Sequence, residues 1–70
     1  SRFKASVREE IDALRQLGAK RQALSLHACK RLFFDLGQRP SSVLVRELTG
    51  VGSASDIPKD IDLFWTQLRE

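Results

Sequence analysis

Four glycines, Gly18, Gly37, Gly50 and Gly52, divide the chain into segments whose apolar residues recur at helical spacing. Phe3, Val7, Ile11 and Leu14 form one stripe, with Glu9, Glu10, Asp12 and Arg15 off it, so the first segment reads as an amphipathic helix stopped by Gly18. Lys20 to Leu36 carries Leu26, Cys29, Leu32, Phe33 and Leu36 and ends at Gly37; Gln22 or a capping Ser25 are alternative starts. Pro40 favours a helix start after it, and Ser41 or Ser42 can cap the short run Val43, Leu44, Val45 and Leu48. Ser53, Ser55 and Asp56 are three candidate caps for a last helix that places Ile57, Ile61, Phe64, Trp65 and Leu68 inward. No alternating β-type run or Asn-Gly or Asp-Gly hairpin turn interrupts this pattern. The expected fold is all-α, a small bundle of about four helices containing a helix-turn-helix, in one domain over residues 1–70.

Chemistry narrows the classes further. The lone Cys29 cannot form an internal disulfide, and with one His27 it falls short of a structural zinc ligand set. Cys29 lies on the apolar stripe and reads as a small hydrophobe, His27 as a helix-surface or capping residue, and Phe64 and Trp65 as core. A Gly-rich phosphate loop, paired catalytic carboxylates and a nucleophile arrangement are all missing, so the expectation is a non-enzymatic chain without cofactor, metal or small-molecule ligand. No stretch approaches the roughly 18 to 20 apolar residues of a membrane span, and the start lacks a signal-peptide core, which predicts a soluble cytoplasmic chain. Methionine is absent even at position 1, so the sequence reads as an excised fragment of a longer chain.

Charge is polarised. Residues 1–46 hold ten Lys/Arg and four Asp/Glu, whereas residues 47–70 hold two and five. A net charge of +3 suits an acidic partner or nucleic acid.

The spacing of Leu32, Gly37, Pro40-Ser41, Val45-Arg46, Leu48, Gly52-Ser53, Ile57, Ile61 and Trp65 resembles the N-terminal DNA-binding domain of the KfrA-type plasmid proteins. The resemblance covers about residues 26–69 and is densest in GSASDIPKDIDLFW. It implies a bacterial helix-turn-helix module of the plasmid-maintenance or transcription-regulation kind. Such a module docks on double-stranded DNA with the helix after Ser53 as recognition helix, and dimerises through a coiled coil that follows the domain. The residues expected at DNA are Arg39, Ser41, Ser42, Arg46, Ser53, Ser55 and Lys59, with Lys20, Arg21, Lys30 and Arg31 as further phosphate contacts. One departure stands out. Asp56, Asp60 and Asp62 fall on positions read as outward, an acidic face that repels phosphate and supports an alternative reading as a protein-interaction or oligomerisation module. Pro58 fits the last helix only in its first turn, with Asp56 as the effective cap.

Overall fold

The computed structural model describes residues 2–69; Ser1 and Glu70, the ends of the expected domain, lie outside the described residues. Four helices run in chain order: α1 (Arg2–Gln16), α2 (Arg21–Lys30), α3 (Ser42–Thr49) and α4 (Asp56–Arg69). A π-helical turn, Arg31–Asp35, prolongs α2, and no strand occurs among the described residues. No described helix is long and apolar enough to cross a membrane.

Helix ends follow the glycines. Gly18 (φ 90°) closes α1 in a Schellman motif, its N–H donating to the Arg15 carbonyl while the Ala19 N–H reaches that of Leu14. Gly37 closes the π turn in a wider version: the Gln38 N–H reaches back to the Leu32 carbonyl, one residue further than a Schellman bond spans. Ser41 caps α3, its Oγ accepting from the Leu44 N–H at 3.2 Å.

α2 is the central element, packed on α1, α3 and α4. It therefore buries more than one narrow stripe: Leu24, Ser25, Ala28 and Cys29 are inside, continued by Leu32. This corrects the expected stripe. Leu26 is only half-buried, Leu36 is exposed, and Ser25 is an interior residue rather than a cap; Lys20 takes the cap position without a side-chain bond. Val7 and Ile11 of α1, Val45 and Leu48 of α3, and Ile57 and Phe64 of α4 complete the core.

The last helix is rotated relative to the expectation. Ile57, Asp60 and Phe64 face inward, and Ile61 and Trp65 flank them half-buried. Asp60 is 1% exposed, and its Oδ2 accepts from the Arg21 guanidinium of α2. Arg21 supplies the opposite charge that makes burial of a carboxylate tolerable, and Phe64 supplies the apolar bulk one turn on. Phe64 stacks edge-on with Phe33 at 5.9 Å between centroids, and Phe33 meets Trp65 at 5.3 Å. The π turn winds less per residue than an α-helix, so the consecutive Phe33 and Phe34 both come within ring-contact distance of Phe64.

A second polar cluster ties α1 to α2. Glu10 lies 2.7 Å from His27 Nε2 and 3.1 Å from Arg31 Nε. The His27 hydrogen bond, helped by the Arg31 charge and opposed by partial burial, holds the Glu10 carboxyl below its usual range.

Burial, and secondarily the Asp60 charge, pushes the Cys29 thiol up to about 12. The thiolate is the nucleophile, so at pH 8 Cys29 is expected to react with a disulfide reagent at least tenfold more slowly in the folded chain than in urea. Equal rates, followed by absorbance, would show that the thiol is reachable and ionised.

Candidate nucleic-acid interface

The α3–turn–α4 unit is built by capping. Gly50 (φ 72°) ends α3 in a left-handed cap, its N–H donating to the Arg46 carbonyl at 2.8 Å. Three residues later Ser53 starts the next helix: its carbonyl accepts the Ile57 N–H at 3.1 Å and its Oγ accepts the Asp56 N–H at 3.1 Å. Ser53, not Asp56, is therefore the effective cap. Pro58 has no N–H for the Ala54 carbonyl, so the regular helical ladder begins only at Asp56, with Pro58 in its first turn. Gly50, Val51 and Gly52 form a three-residue turn of the length a helix-turn-helix uses.

Side chains brace this turn from both sides. Arg46 donates to the Gly52 carbonyl across it. Thr49 is buried, its hydroxyl donating to the Val45 carbonyl at 2.9 Å, and Arg15 of α1 donates to the Thr49 carbonyl at 2.5 Å. Lys4 and Arg8 of α1 hold Glu47 at 3.0 and 3.3 Å, and the Lys4 hydrogen bond keeps that carboxyl below its usual range. α1 thus fixes the orientation of α3 through charge as well as through Val7 and Ile11.

A shallow groove of about 230 Å³ runs between the N-terminal ends of α3 and α4. Ser42, Arg46 and Ser53, three of the expected DNA-facing residues, line it together with Val43, Ala54 and Ile57. Ser55 adjoins, its Oγ 3.1 Å from that of Ser53. Lys59 is exposed one turn further along α4, and Ser41 is exposed at the α3 cap. Arg39 is not part of this group. Its guanidinium lies over the Trp65 ring at 5.6 Å, near the other end of α4, about 13 Å along the helix axis from Asp56.

Two expectations about charge are corrected. The supposed acidic face loses Asp60 to the interior, leaving Asp56 half-buried and Asp62 exposed on α4. The Lys20-Arg21 and Lys30-Arg31 pairs are not two free basic patches: Arg21 binds Asp60, and Arg31 binds Glu10 and Asp35, leaving Lys20 and Lys30 as the exposed members. Sequence spacing missed the Arg21–Asp60 contact because Ile57, Ile61 and Trp65 offered a more apolar stripe. The signal that could have found it is the row Arg21, Ser25, Cys29 and Leu32 facing the row Ile57, Asp60 and Phe64.

Among the described residues no group of three or more His, Cys, Asp or Glu side chains could hold a metal ion. Chemically the surface offers hydroxyl and guanidinium donors around an apolar floor. Comparison with family models, with curated proteins and with solved structures finds no match to the chain.

Proposed function

We propose that the chain binds double-stranded DNA non-enzymatically through the α3–turn–α4 unit, with the N-terminal end of α4 entering the major groove. The observation that carries this reading is the gathering of Ser42, Arg46 and Ser53 on one groove with no carboxylate among its lining residues. Serine hydroxyls and arginine are phosphate and base donors, and a three-residue Gly-containing turn sets two helices as a groove reader needs them. The resemblance to KfrA-type domains supports the same surface and adds the bacterial plasmid setting and a dimer presenting two half-sites. With Asp60 turned inward, Lys59 stands on α4 without the full acidic face that opposed DNA docking in the sequence.

Fluorescence anisotropy with a mixed-sequence 20-base-pair duplex, repeated over a range of salt concentrations, tests the proposal. Lys59→Ala is expected to weaken binding on every sequence and to lower the salt slope by about 1, as removal of one phosphate contact does. Unchanged affinity and slope would remove Lys59 from the interface.

A protein-interaction module is a second reading, favoured by one observation. Phe34 is 61% and Leu36 50% exposed, and a groove of about 270 Å³ lined by Lys30, Phe34, Phe64, Gln67 and Leu68 lies beside them. This apolar surface, rather than the α4 carboxylates, would carry such contacts. Concentration-dependent sedimentation together with no anisotropy change on any duplex would favour it.

A further inference from the structure

Val43 is the feature the fold leaves unexplained. It belongs to the apolar run that builds α3, yet it is 77% exposed while Val45 and Leu48 beside it are buried. It stands at the rim of the groove described above, with exposed Ala54 also lining it and Ile57, almost wholly buried, as the floor. The one backbone carbonyl known to receive a side chain there, that of Gly52, is already satisfied by Arg46. The groove therefore offers little for hydrogen bonding in its interior and an apolar surface at its mouth.

Its charge narrows the occupant. Arg46 is the charged residue in the lining, no acidic residue lines it, and Lys59 is exposed one turn along α4. The occupant that fits is a small apolar group carried on a polyanion. In duplex DNA that group is the C5-methyl of thymine, which projects from the base edge into the major groove with phosphates on either side. Alanine and similar small apolar side chains are its usual contacts.

We infer that the groove between α3 and α4 reads thymine C5-methyl groups, with Val43 and Ala54 as the contacting side chains and Arg46 holding a neighbouring phosphate. The inference rests on the DNA-binding proposal above and adds a base-specific element to it. It gives the chain a preference for A·T-containing sites that arises from methyl burial rather than from hydrogen bonds to base edges.

The test compares two duplexes of identical sequence, one containing thymine and one containing deoxyuridine at every such position. The two differ in the methyl group and keep the same base-pair hydrogen bonds. Anisotropy at low salt is expected to give about fourfold weaker binding to the deoxyuridine duplex for each methyl seated in the groove. Val43→Ser, an exposed position whose change leaves the core intact, is expected to bring the two affinities together while DNA binding persists. A G·C-rich duplex carrying 5-methylcytosine is expected to bind more tightly than its unmethylated counterpart. Equal affinity of the original chain for the thymine and deoxyuridine duplexes overturns the methyl reading and leaves the DNA proposal standing. An unchanged preference in Val43→Ser overturns the assignment to this groove. No binding to any duplex at low salt overturns both, and an apolar side chain of a protein partner would then be the occupant to pursue.

Discussion

Replacement of Arg21 by methionine is expected to destabilise the chain by about 3 kcal/mol and to lower its melting temperature by about 15 °C. Asp60 is 1% exposed, and the Arg21 guanidinium is the partner that accounts for its charge. Its other oxygen, Oδ1, is buried with no hydrogen-bond partner among the described residues. Removing Arg21 leaves a carboxylate inside the domain with nothing to neutralise it, the situation in which a broken buried pair costs most. The magnitude is set toward the lower end because the Arg21 side chain is 35% exposed, so water already screens part of the interaction. For a domain of 70 residues without disulfide or metal, a core of this size supplies on the order of 3 to 5 kcal/mol, and the variant would lie near its folding threshold. Urea unfolding followed by circular dichroism measures this directly. The double variant Arg21→Met with Asp60→Leu separates charge from packing: it is expected to recover most of the loss, because it removes the unpaired carboxylate along with its partner. A double variant as unstable as Arg21→Met alone would show that the guanidinium's packing, and not the charge of Asp60, is what matters.

That ion pair also marks the boundary of what the sequence makes legible. The four helices are readable because each begins at a serine, proline or lysine boundary and most end at a glycine that the backbone needs in a left-handed conformation. The first stripe is correct as read: Val7 and Ile11 are buried, and Phe3 and Leu14 pack at its edges. α2 is less legible for a physical reason. A helix touched on several sides has no single apolar face, so periodicity that assumes one face selects Leu26 and Leu36 while the packing selects Leu24, Ser25 and Ala28. α4 fails differently. Its apolar residues allow two inward rows, Ile57–Ile61–Trp65 or Ile57–Asp60–Phe64, and only the long-range presence of Arg21, 39 residues earlier, makes the second acceptable.

The candidate interface was partly readable on the same grounds. Ser42, Arg46 and Ser53 could be grouped because they flank one turn, and local caps determine how that turn is made. Arg39 could not be placed this way. Its position depends on Trp65, a residue 26 positions away whose ring it covers, and no local pattern encodes that contact. Phe33 and Phe34 illustrate the same limit. Adjacent aromatic residues on a regular helix would diverge by about 100°, and the π turn that lets both approach Phe64 has no capping residue to announce it.

The turn that carries the proposed function is the place where a single methyl group is expected to do the most local damage. Gly52 has φ 104°, in the range that side chains of L-residues rarely adopt, and a Cβ there would lie 2.7 Å from Ile57 Cγ1 and 3.1 Å from its Cδ1. Ile57 cannot step aside freely because it is 97% buried in the floor between α3 and α4. Gly52→Ala therefore combines backbone strain with a clash, and is expected to cost about 2 to 3 kcal/mol. Gly50 supplies the internal control. It too has a positive φ, 72°, but a Cβ there meets nothing within 4 Å, so Gly50→Ala is expected to cost about 1 kcal/mol from the backbone alone. Urea midpoints of the two variants measured side by side isolate the Ile57 contact, and Gly52→Ala with Ile57→Val is expected to recover part of the difference by shortening the side chain that the new methyl meets. The same displacement moves Ser53, whose Oγ caps α4, relative to Arg46, whose guanidinium holds the Gly52 carbonyl. If the α3–turn–α4 surface binds duplex DNA, Gly52→Ala should lose more affinity than Gly50→Ala under conditions where both remain folded. Equal affinities with unequal stabilities would separate the turn's structural role from recognition and would place the DNA contacts elsewhere on the molecule.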